Sequence, residues 1–170
     1  MKKSSLAIAS LLAVLAAPAL ADSNNNQSTI DQIGTTVTAG VVQGGDGNTN
    51  TSDIDQGLST FGDNLSVNLF QGGLTTSNTS TVIQNNTNQA VDIDQHGDGT
   101  TNTLTINQDG TDNYTNILQN GTNNVSSADV TQFGTGATNN VDVQQGGQDN
   151  TNAATISQNG GGLSATVVQN

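Results

Sequence analysis

The sequence predicts an all-β chain, a two-sheet parallel β-solenoid of six strand–arc–strand rungs. Three observations predict it. A glutamine recurs in one fixed register at Gln32, Gln43, Gln56, Gln71, Gln84, Gln95, Gln108, Gln119, Gln132, Gln145, Gln158 and Gln169, and the residue two before each is Ile, Val or Leu. Within each copy the side chains alternate, as in Val91-Asp92-Ile93-Asp94-Gln95, and a period of two is the signature of a strand. The intervals between glutamines also alternate: every second one, starting with Gln43 to Gln56, is 13 residues, and the rest are 11 apart from one of 15 and one of 13. A constant connection between units and a variable arc within them sorts twelve strands into six rungs.

Taken in order, residues 1–21 read as a secretory signal peptide. Lys2-Lys3, the mainly apolar run from Leu6 to Ala17 and Ala19-Leu20-Ala21 form its charged, hydrophobic and small-residue regions. The run is short for a bilayer span, and no second one follows. The expectation is export without a membrane anchor, with cleavage after Ala21 and a short extension over residues 22–25. Six repeats then fill residues 26–170, at about 26–43, 50–71, 78–95, 102–119, 126–145 and 152–169. Gly stands two residues after nine of the eleven internal glutamines, marking turns. Leu58 and Asn86 are the exceptions. The two longer arcs, Gly57–Asn64 and Phe133–Thr138, lie in the second and fifth repeats.

Cleavage would remove the only two basic residues, Lys2 and Lys3, and leave 14 aspartates. A chain without cations has nothing to neutralise phosphates, which argues against nucleic acid and anionic membranes as partners. Cysteine is absent, so neither disulfides nor cysteine metal sites hold the domain. The bulk of Asn, Gln, Thr, Ser and Gly suggests a disordered or an amyloid-prone polar segment.

One repeat offers too few apolar side chains to bury a face alone, so the repeats must stack. Stacking at about 4.8 Å per rung gives a solenoid roughly 29 Å long. Interior polar groups would then pair as ladders along the axis. The glutamines form one set. Six residues before them stand Asn26, Asn50, Asn78, Asn102, Asn113, Asn139 and Asn152, with Gln89 and Ser126 as polar substitutes. Val37, Leu65 and Leu163 interrupt this second set.

This register, Asn-x-small-x-aliphatic-x-Gln-x-Gly in paired strands from Asn26 to Gln169, resembles the curlin repeat of bacterial curli fibres. The resemblance implies an extracellular functional amyloid on the bacterial cell surface, a homopolymer supporting biofilm and adhesion, with inward Asn and Gln ladders driving polymerisation. It implies curli-type secretion and nucleation proteins as partners and no cofactor. Only Asp22-Ser23-Asn24-Asn25 precedes the first repeat, less than the leader of major curlin subunits. The basic terminal repeat of the nucleating minor subunit is absent, so the chain is more similar to the major subunit.

Residues with chemical potential are few. His96 and nearby Asp and Ser residues suggest a triad only weakly; an exposed turn residue is the stronger reading. Asp53/Asp55 and Asp92/Asp94 are paired carboxylates, but flat strand faces offer no cleft to shift a pKa. They read as solvated charges that discourage aggregation. Gly44–Gly47 and His96–Gly99 are similar to calcium-binding glycine-rich repeats but lack their period of nine. Just before the glutamines, the second strands place Val42, Phe70, Asp94, Leu118, Gln144 and Val168 outward. Val42, Phe70, Leu118 and Val168 form a candidate lateral contact for bundling or surfaces. The function expected is thus a fibre subunit rather than an enzyme. The alternative is a monomeric secreted solenoid that binds a surface, of adhesin or ice-binding type.

Overall fold

A computed structural model describes residues 25–57, 62–134 and 138–170. The described chain is strand and turn only: β1 (Asn25–Gln32), β2 (Gly34–Gln43), β3 (Thr49–Gln56), β4 (Gly62–Gln71), β5 (Ser77–Gln95), β6 (Thr101–Thr111), β7 (Asn113–Gln119), β8 (Val125–Gly134), β9 (Asn139–Gln145), β10 (Thr151–Asn159) and β11 (Ser164–Gln169). It winds as a parallel β-solenoid of about six turns. The proposed signal peptide and most of the short extension lie outside the described residues, as do the centres of both longer arcs.

Each strand pairs in parallel with its counterpart one turn on. One ladder runs β1–β3–β5–β6–β8–β10 and aligns Gln32, Gln56, Gln84, Gln108, Gln132 and Gln158. The other runs β2–β4–β5–β7–β9–β11 and aligns Gln43, Gln71, Gln95, Gln119, Gln145 and Gln169. Strand β5 belongs to both. The count is therefore eleven strands rather than twelve, in one continuous hydrogen-bonded sheet. The reason is local. Asn85-Asn86-Thr87 pairs with Asp109-Gly110-Thr111, and Asn86 and Asn88 take left-handed φ values of 79° and 54°. Asparagine tolerates that region, so the arc turns the corner without leaving the ladder.

Alternation puts the aliphatics two before each glutamine inside. Ile54, Val82, Ile106 and Val130 from one ladder join Leu69, Ile93, Ile117 and Val143 from the other in a single core. The terminal turns are covered on one side only, and Ile30, Val41, Ala165 and Val167 remain partly exposed there. This is the stacking requirement made visible: a rung without a neighbour cannot close its core.

The constant interval between rungs has a structural cause. The connecting turns pair with one another, Asp46 with Leu74, Leu74 with Asp98, Asp98 with Thr122 and Thr122 with Gln148. Backbone bonds such as Asp98 N–H to the Gly121 carbonyl and Asn123 N–H to the Asp98 carbonyl complete a narrow third ladder. Gly73, Gly97 and Gly121 stack within it so closely that a Cβ on Gly97 would lie 2.3 Å from the Gly121 oxygen. Here glycine is a steric need.

Candidate functional site

The glutamine side chains form two unbroken amide ladders. Each donates from Nε2 to Oε1 of the glutamine one turn on, over 2.6–2.9 Å, through all five steps on either side. All point the same way, from the N-terminal to the C-terminal end. From Gln43 onward the other amide hydrogen reaches a carbonyl of the other ladder, at 3.0–3.5 Å. One side chain thus ties rung to rung and ladder to ladder. Full pairing is what complete burial of these amides demands.

The asparagines form shorter ladders of opposite sense. Asn50 donates to Asn26, Asn78 to Asn50 and Asn102 to Asn78, each at 2.9 Å. Asn139 donates to Asn113. Ser126 does not substitute for asparagine. Its short side chain leaves its own Oγ and the Asn102 Oδ1 buried without partners. Asn152, beyond the break, donates instead to the Gly146 carbonyl. Gln89 does not join a side-chain ladder either. One methylene longer than asparagine, it reaches the carbonyls of Asn85 and Gly110 and leaves Oε1 unpaired.

A further column, eight residues before the first-ladder glutamines and not anticipated from the register, holds Asn48, Thr76, Thr100 and Asn124, all buried, and the half-buried Asn150. Asn48 bonds the Gly44 and Gly73 carbonyls, and Asn124 bonds those of Asn120 and Gly147, bracing the turns. The signal was available, since only Asn or Thr occupies these five positions.

The outer faces differ. On the second ladder, Val42, Phe70, Asp94, Leu118, Gln144 and Val168 stack in register. Val42, Phe70 and Val168 are exposed, and Leu118 is half-buried. Beside them carboxylates alternate with amides, Asn68 donating to Asp92 and Asn116 to Asp142. The Tyr114 hydroxyl also donates to Asp92. Burial, then this hydrogen bond and the charges of Asp92 and Asp142, push the phenol above its usual range. The first ladder instead presents hydroxyls, Thr49/Ser77/Thr101 beside Thr51/Thr79/Thr103. At its N-terminal end Asp31 stacks on Asp55. Desolvation, then Asp53 and Asp31, raise the Asp55 carboxyl above its ordinary 3.8.

His96 Nδ1 lies 2.7 Å from Asp94 Oδ1, and its ring meets Phe70 edge-on at 6.4 Å. No group of three or more His, Cys, Asp or Glu residues able to hold a metal ion occurs among the described residues. No described helix is long and apolar enough to cross a membrane.

At the ends of the solenoid, β1 and β2 pair only with β3 and β4, and β10 and β11 only with β8 and β9. No protein family, curated protein or solved structure matches the chain.

Proposed function

We propose that the chain is the repeating subunit of an extracellular, curli-like amyloid fibre, exported with the help of its N-terminal segment and polymerising at the cell surface to support biofilm and adhesion. The two ladders act as the two sheets of a cross-β unit, and growth is edge-to-edge stacking of rungs. One observation carries this reading: the two ends are complementary. Gln158 and Gln169 end the ladders as amide donors, and Gln32 and Gln43 begin them as acceptors. Where Asn50 donates to Asn26, Asn26 of an incoming copy would donate to Asn152. A second copy set head to tail continues every column, while open edges and exposed core residues favour its addition. Such growth needs no catalytic residue and no cofactor. Curli-type secretion and nucleation proteins are the partners this reading calls for.

The stripe of Val42, Phe70, Leu118 and Val168 supports lateral contact between fibres or with surfaces. Incubating the purified chain with preformed seed should give fibres with cross-β reflections near ~4.7 Å and ~10 Å. Phe70→Ser with Leu118→Ser should leave those fibres unbundled. A chain that stays monomeric under seeding rejects the fibre reading. The paired threonine columns favour a second reading, a monomeric solenoid binding ice or another ordered surface. Val125 interrupts the first of those columns and Ala153 ends the second, and a monomer that halts ice growth would establish it.

A further inference from the structure

The second outer face carries a shallow groove of about 320 Å³ between two outward columns, lined by Gly40, Val42, Phe70, Asp92 and Asp94 among others. It owes its opening to Gly40. The equivalent positions on the next four rungs are Asn68, Asp92, Asn116 and Asp142, so a side chain is missing where the column would otherwise supply one. Backbone geometry does not require this glycine. Its φ is not left-handed, and a Cβ there would meet only Asn68 Oδ1, at an ordinary 3.5 Å.

One wall is apolar. Phe70 is 44% exposed and Val42 53%, and the phenyl ring is held edge-on by His96. The other side is anionic. Asp92 and Asp94 point outward two residues apart on one strand, and their partners are the Asn68 amide, the Tyr114 hydroxyl and the His96 ring. The chain has no lysine or arginine after Lys3. A second copy laid on this face could meet Val42 and Phe70 with its own apolar groups but would bring no lysine or arginine to Asp92 and Asp94. The complementary occupant has a narrow apolar body and one cationic end.

We propose that this groove binds a small organic cation, an aryl or alkyl group bearing an amine or amidine. Its body lies along Val42 and Phe70 in the space left by Gly40, and its charge sits against Asp92 and Asp94. The aromatic face adds a cation–π contribution. A groove this open gives a weak site, with Kd on the order of 0.1–1 mM. The proposal goes beyond the fibre reading and does not depend on it, because the groove belongs to a single chain.

The probe is p-aminobenzamidine, whose fluorescence rises in apolar surroundings, titrated into the folded, unpolymerised chain, with p-aminobenzoate as the anionic counterpart of similar shape. The cation should bind saturably and the anion at least about tenfold more weakly, a gap of about 1.4 kcal/mol. Gly40→Val fills the groove with the charges intact and should lower affinity at least fivefold, as should Asp92→Asn with Asp94→Asn. Asp31→Asn with Asp55→Asn, on the opposite face, should change it less than twofold. Circular dichroism confirms that each variant keeps its strand structure. Unchanged affinity in Gly40→Val overturns the proposal, as does an equal loss from either aspartate pair, the mark of non-specific attraction to an acidic surface.

Discussion

Single residues in this protein matter according to how many neighbours one side chain serves. Gln84 is buried and accepts from Gln56, donates to Gln108 and donates to the Ser66 carbonyl. Truncating it removes three hydrogen bonds and leaves the buried Gln108 Oε1 without its donor, so Gln84→Ala should cost about 3 kcal/mol in chemical denaturation. Ser126 is the converse. Ser126→Asn can accept from Asn152 and donate to the now-unpaired Asn102 Oδ1, and should raise stability by about 1 kcal/mol; a fall would mean the site is too tight for the longer side chain. Asp55 gives a pH signature. Its carboxyl is raised in the fold, so ionisation costs stability above its folded pKa, and the penalty fades as pH falls toward 3.8. Asp55→Asn should therefore raise Tm at neutral pH and leave it unchanged near pH 3, with a gain of only about a few tenths of a kcal/mol after solvent screening. The sequence exposed the column positions, because burial in a solenoid repeats with the register. It did not show which amides would meet. Ser126 and Gln89 are polar like asparagine, but reach is set by one or two bond lengths that polarity does not encode.

Among the elements, the turns between rungs and the arcs within them obey different rules. The turns are themselves a ladder, so their length is fixed by pairing on both sides. Gly97→Ala sets a Cβ against the next turn's carbonyl and should cost about 2–4 kcal/mol. Two residues inserted after Gly97 should break the solenoid into two separately melting parts. The same insertion after Gly134, past the paired end of β8 in an arc already longer than its neighbours, should shift stability by under about 1 kcal/mol. The interval series made this contrast legible as a number, 13 repeated without exception between rungs, while its cause emerged only with the pairing. The fused strand β5 was not legible. Asparagines replace glycine in its arc, and a sequence reading takes any such polar run as a break.

At the scale of the whole molecule, a fibre built by head-to-tail stacking has two unlike ends, and its growth depends on the glutamines that begin the ladders. Gln32→Leu with Gln43→Leu removes both acceptors that an existing fibre tip would engage. Elongation by single-fibre imaging should slow about tenfold, the effect of roughly 1.4 kcal/mol at the joint; an unchanged rate would place the joint elsewhere. The uniform direction of the glutamine ladders has one more consequence. Their amide dipoles add along the axis, carbonyl ends toward the first rung, and the shorter asparagine columns cancel only part of the sum. The solenoid is therefore a permanent electric dipole, in a fold class whose backbone contributes little of its own. In the proposed fibre, stacked copies would lengthen that dipole, and neighbouring filaments would lower their energy by lying antiparallel.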